Sequence, residues 1–212
     1  MLGENKIIDN RLMYRVVALR NIPKHNINVG DIGGWVEGEH NLSQEGDCWV
    51  DYEAKAFKDS KLQDNAVITD RAELFGTAIV MDNAVVGDRA KIYGRSVISG
   101  NAEIINDAVI MDGSTINGKA FIFEHAVIRG VNISGDAIIG GWADISQKEN
   151  YITLHIHDGY YVTFFTGSGR IYAYGKVIIE YDTLRDVRSD ITDILSYIRS
   201  TLATLKIEMM HR

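Results

Sequence analysis

From Cys48 onward, small and large apolar residues recur along the chain in steps of six. The small series runs Cys48, Ala54, Ser60, Ala66 and onward to Ala126, and all fourteen members are Ala, Ser or Cys. Two residues after each comes a second series, Val50, Ala56, Leu62, Ile68 and onward to Ile128. Thirteen of these fourteen are large aliphatics. A fixed short period of this kind predicts a solenoid.

Strand geometry selects the type of solenoid. Residues two apart on a strand share a face, so both series point inward and the residue between them points out. Two residues beyond the aliphatic stand Asp70, Gly76, Asp82, Asp88, Gly94, Gly100, Asn106, Asp112 and Gly118. These types tolerate a tight corner. Six residues therefore make one short strand and one corner, and three sides close a triangular coil of a parallel β-helix. About six coils at roughly 4.8 Å each predict a rod about 30 Å long. The repeat slips once: after Ala126 and Asn132 the small residue falls at Ala137, then Ala143. "RGVNISGD" therefore reads as a one-residue deletion at a tightened corner.

With the pattern [LIV]-x-x-x-[STAV]-x, as in "ITDRAE", the repeat resembles the hexapeptide repeats of the left-handed β-helix proteins. The left hand is implied by that resemblance. The segment before the repeats carries "YR-x-x-ALR" (Tyr14, Arg15, Ala18–Arg20), "GD-x-GGWVE" (Gly30, Asp31, Gly33–Glu37) and "NLSQEGDCWV" (Asn41–Val50). In these it resembles phage and prophage hexapeptide proteins of the YdcK-like β-solenoid group. That resemblance implies a phage or mobile-element origin and little chemistry. A strand at Met13–Leu19 is predicted to cover the open first coil, whose bare backbone is an aggregation hazard.

After the repeats the period changes. "YITLHIHDGYYVTFFTGSGRIYAYGKVIIEY" alternates apolar and polar residues and holds the turns "HDGY" and "TGSGR". It predicts an antiparallel hairpin or small sheet. A helix follows, opened by Thr183 and Asp186 as a capping box, with Leu184, Val187, Ile191, Ile194, Ile198, Leu202, Leu205 and Met209 along one stripe. The expected organisation is a cap at 1–46, the β-helix at 47–146, a β-hairpin region at 147–181 and an amphipathic helix at 182–212. The whole is all-β with one helix at its end.

Charge and composition narrow the function. Net charge is −7, and residues 31–70 alone hold ten acids against Lys55, Lys58 and Lys61. Without a basic stripe, nucleic-acid binding is not expected. No apolar run approaches a membrane span, and the first residues do not read as a signal peptide. With one cysteine, Cys48, no internal disulfide is expected, and a cytoplasmic location follows.

The candidate chemistry is thin. Many left-handed β-helix proteins are acyl- or acetyltransferases, which as a group imply trimers, a general-base His and long inserted loops. Here the regular coils hold one His, His125, at an outward corner. Asp107, 18 residues earlier, is expected to stack beside it, and such a pair can orient an imidazole. The alternative is two exposed polar corner residues. A zinc site of the γ-carbonic-anhydrase type needs three convergent His. His155 and His157 share one strand face but have no evident third ligand. "TGSG" at 166–169 lacks the Lys and helix of a phosphate loop. No cofactor or metal is expected.

The outward middle positions point elsewhere. Stepping by 18 gives the columns Trp49, Val67, Val85, Glu103, Phe121; Lys55, Glu73, Lys91, Val109, Val127; and Lys61, Ile79, Val97, Thr115. Outward apolar columns predict an interface, and Ile191, Ile194, Ile198, Leu202 and Leu205 offer a second. The expectation is a non-catalytic protein that binds a protein partner, of host origin if the chain is phage-encoded, with antagonism of a host defence as one role. Self-assembly as a trimer or dimer is expected as well. The alternatives are an acyltransferase with an atypical site and a purely structural scaffold.

Overall fold

The structure, a computed structural model, describes residues 2–141 and 143–145 with their side chains. It also describes the backbone of four strands within 151–181. Seventeen strands of two or three residues, from β4 (Trp49–Val50) to β20 (Asp144–Ile145), form the solenoid. They stack into three parallel sheets, one along each side of a triangular coil. Val85 pairs with Val67 and Glu103, and Val97 pairs with Ile79 and Thr115, each neighbour 18 residues away. The two inward series meet inside. From Ala54 to Ile128 every Ala and every aliphatic of the two series is 0% exposed. Each such Leu or Ile contributes about 1.5–3 kcal/mol by leaving water.

Every corner turns the same way. Two residues past each aliphatic, from Tyr52 to Gly141, φ lies between 48° and 74°. This left-handed conformation is cheap for Gly and tolerable for Asn and Asp, which explains the corner residues read from the repeat. Tyr52, Lys58 and Glu124 adopt it as well, at an energetic cost that the stacked coils on either side must cover.

The N-terminal cap is larger than expected. Strands β1 (Leu2–Ile8) and β2 (Arg11–Val17) form an antiparallel hairpin, and β2 pairs with β3 (Ile32–Val36). β3 then pairs in parallel with Lys55–Ala56, so the hairpin extends one solenoid sheet beyond the first coil. β2 begins and ends two residues earlier than predicted, and β1 was not expected at all. Its turn, Asp9–Asn10, has φ of 51° and 60°. Two left-handed residues match the right-handed twist of the strands they join.

The motif residues of this segment hold the cap together. A Cβ on Gly33 would lie 2.3 Å from the Val50 carbonyl oxygen, and one on Gly34 2.5 Å from that of Ala54. Trp35 is buried and donates its indole N–H to Glu53 at 3.1 Å. The Arg15 guanidinium lies 4.2 Å from the Trp35 ring and donates to the Gly33 and Tyr52 carbonyls. Buried Asn41 donates to the carbonyls of Lys58 and Ser60 and accepts from the Gly38 N–H. Five of the residues behind the resemblance, Arg15, Gly33, Gly34, Trp35 and Asn41, thus hold the cap to the first coils.

Glu37 gives this cap a pH dependence. The Lys58 backbone N–H, 2.6 Å from its Oε2, and then Arg11 at 3.0 Å hold its carboxyl below the ordinary value of 4.5. Because the folded pKa is the lower one, this stabilisation is complete above 4.5. It fades as pH falls through the folded value. The melting-temperature gap between wild type and Glu37→Gln is expected to be full near neutrality and to close in acid. A gap that stays constant down to the acid limit would count against it.

One sequence expectation is corrected in the last coil. The shortened step falls between Val127 and Val131, so Val131 and not Asn132 fills the small inward position. Val131 is 1% exposed, Asn132 points out, and Thr115 pairs with Asn132 across 17 residues. Gly130, with φ 63°, makes the shortened corner. Beyond it, the period-two region is one four-stranded antiparallel sheet: β21 (Tyr151–His155), β22 (Tyr160–Phe165), β23 (Gly169–Ala173) and β24 (Lys176–Tyr181). The helix expected at 182–212, with Ile191, Ile194, Ile198, Leu202 and Leu205, lies outside the described residues, as does His157.

Candidate functional site

A charged cleft of about 540 Å³ runs along one corner of the solenoid. Two columns line it. Asp70, Asp88, Asn106 and Glu124 occupy the left-handed corner position, and Arg71, Arg89, Asp107 and His125 follow them in the next. The first column is a ladder in which each side chain accepts the backbone N–H one coil on. Asp88 Oδ2 accepts from the Asn106 N–H at 2.9 Å, Asn106 Oδ1 from Glu124 at 3.1 Å, and Glu124 Oε2 from Gly141 at 2.5 Å. The corner residues thus satisfy backbone donors that the turn leaves without a strand partner.

His125 and Asp107 do stack on neighbouring coils, as the spacing predicted, with His125 Nδ1 3.6 Å from Asp107 Oδ2. The pair has a third member that sequence reasoning missed. Arg89 grips Asp107 side-on, Nε to Oδ1 and Nη2 to Oδ2, both at 2.7 Å. The Arg89 hydrogen bonds, and then its charge, hold the Asp107 carboxyl below its usual range. Arg89 thus shares the Asp107 carboxylate with His125, whose Nδ1 stands 3.6 Å from Oδ2. The signal was available, since stepping back 18 from Asp107 lands on Arg89. On the adjoining face Lys55, Glu73 and Lys91 form a similar ladder at 3.1 and 3.4 Å.

The outward columns lie where the period placed them, but they expose less apolar surface than the sequence suggests. Val67, Ile79, Val97, Val109, Phe121 and Val127 are half-buried, and Val85 reaches 36% exposure. Each is flanked by the side chains one coil above and below, which cover part of it. Trp49 is buried within this chain against the Gly33 backbone. Among the described residues, the most exposed large apolar side chains are Ile7, Leu12, Leu19, Val29 and Ile32 on the cap and Tyr52 at the first corner of the solenoid.

The remaining candidates stay apart. His155 ends β21, opposite Tyr161. Among the described residues no group of three His, Cys, Asp or Glu converges as a metal site. Burial pushes the Cys48 thiol up to about 11, which leaves it a poor nucleophile at neutral pH. No helix among the described residues is long and apolar enough to cross a membrane.

No family model matches this chain. A 68-residue stretch is 34% identical to an uncharacterized acetyltransferase, YdcK, of Escherichia coli (strain K12). The match covers 32% of this chain and 20% of that protein, so it spans about a fifth of the relative's length. Together with the solenoid, this similarity fits a hexapeptide-repeat family.

Proposed function

We propose that this chain is a non-catalytic β-solenoid that acts by presenting a rigid face to a protein partner. The observation that carries the reading is the regular apolar column on flat parallel strands, Val67 and Val85 on one side and Ile79 and Val97 on another. Stacked strands hold such a surface in place before binding, which lowers the ordering cost of association. In the fuller form of this reading the chain is phage- or prophage-encoded, works in the host cytoplasm and antagonises a host system. The resemblance of the N-terminal segment supports that form.

A second reading, acetyl transfer, is favoured by the similarity to YdcK and by His125 beside Asp107 in the charged cleft. One set of variants separates the two. Val85→Asp and His125→Ala are compared with wild type for partner capture from a host lysate and for heat of acetyl-CoA binding. The expected result is capture unchanged by His125→Ala and lost with Val85→Asp, with no heat from acetyl-CoA. Acetyl-CoA binding that disappears in His125→Ala, with folding intact, would transfer the assignment to the enzyme.

A further inference from the structure

We propose that residues 19–30 of the cap form a flap that opens in mild acid, with His25 as its sensor. The flap is a closed excursion of the chain. At its base the Ala18 N–H donates to the Asp31 carbonyl and the Gly30 N–H to that of Ala18, both at 2.9 Å. At its tip Ile22 and Ile27 exchange backbone hydrogen bonds of 2.8 and 3.2 Å around the short 3₁₀ turn Pro23–His25. Its hold on the solenoid is slight. Arg20 reaches the Gly46 carbonyl and pairs with Asp47, and Lys24 reaches Asn83 Oδ1. Ile22, 6% exposed, is its one buried apolar side chain.

His25 also lies against the solenoid, and it titrates near physiological pH. It is half-buried, and its Nε2 is buried with no hydrogen-bond partner among the described residues. The protonated ring carries an N–H on both nitrogens, so protonation in place buries a donor and a charge together. The charges facing the ring are Lys24, beside it in the chain, and Asp47, which also pairs with Arg20 at 2.7 Å. Burial and then Lys24 hold the His25 pKa below its ordinary 6.5, against the backbone of Asn65 and the charge and backbone of Asp47. In the open flap the ring meets water and takes up its proton at the ordinary value. The closed flap is therefore at full stability above 6.5 and loses stability as pH falls below it. Opening releases Arg20 and Lys24 and uncovers Ile22. This window lies above that of Glu37, whose contribution is complete down to 4.5, and the flap does not depend on the proposed partner binding.

Amide hydrogen exchange of the full chain, corrected for the intrinsic pH dependence of exchange, tests the flap. Between about pH 7.5 and about pH 5, Ile22 and Ile27 are expected to lose protection on the order of fivefold. Val97, bonded to Ser114 within the stacked coils, keeps its protection over the same range. His25→Gln cannot take up the proton, and its flap protection is expected to stay constant. Where that variant folds poorly, the ring resonances of wild-type His25 decide, with a titration midpoint expected below 6.5. Constant protection of Ile22 and Ile27 in the wild type would overturn the proposal, as would an equal loss in His25→Gln or a parallel loss at Val97. So would a midpoint at or above 6.5.

Discussion

Ile98→Asp is expected to destabilise the fold by roughly 3–5 kcal/mol, while Val97→Asp, one residue earlier, costs about 1 kcal/mol or less. Ile98 is 0% exposed and stacks between Val80 and Ile116 in the dry interior. A carboxylate there has neither water nor a cation to face. It must either stay charged at high cost or take up a proton at neutral pH, and in both cases the aliphatic packing is lost. Val97 lies on the outer side of the same strand, between Ile79 and Thr115, where an Asp reaches solvent. Urea midpoints of the two variants check the difference. Comparable losses from both would contradict the registration of the repeat.

The contrast between those two neighbours shows why so much of the solenoid was legible. A period of six couples three independent demands at each step: a small inward residue, a large inward residue and a left-handed corner. Ala66, Ile68 and Asp70 satisfy them once, and the same trio recurs coil after coil, so chance agreement is averaged away. The expectation failed where the period stops. Val131 replaced Asn132 as the inward residue because the shortened corner at Gly130 shifts the phase one step early. β1 carries no alternation strong enough to announce a strand, and its evidence was the Asp9–Asn10 turn. Trp49 stands in register with Val67 of the outward column, yet it is 3% exposed because the cap covers it beside Gly33, a contact no spacing rule supplies.

The candidate site was legible to a different degree. That Asp107 and His125 would stack followed from the spacing of 18, and they do. What the pair can do depends on a third residue, Arg89, which the same spacing locates but does not single out. The Asp107 carboxylate beside His125 also binds the Arg89 guanidinium, so the corner holds a three-member charged group and not an isolated pair. Similarly, the motif residues Arg15, Gly33, Gly34, Trp35 and Asn41 are accounted for by closing the first coil. A resemblance built on them carries fold further than it carries function.

Gly118→Ala is expected to cost about 3 kcal/mol, whereas Gly135→Ala, in the same corner column, costs about 1 kcal/mol. The two glycines share their backbone conformation, with φ of 73° and 74°. The price of a left-handed alanine is therefore common to both. Their surroundings differ. A Cβ on Gly118 would stand 2.6 Å from the Gly135 carbonyl oxygen and 2.7 Å from its nitrogen, while among the described residues a Cβ on Gly135 meets nothing within 4 Å. The obstacle is backbone, so no side chain can swing aside. Relief requires the two coils to separate, and separation stretches the hydrogen bonds that Asn117 and Lys119 donate to Ile133 and Gly135. Thermal melts of the two alanine variants measure the difference directly. Equal losses would mean that the corner conformation alone sets the cost, and that the close approach of the coils does not constrain residue 118.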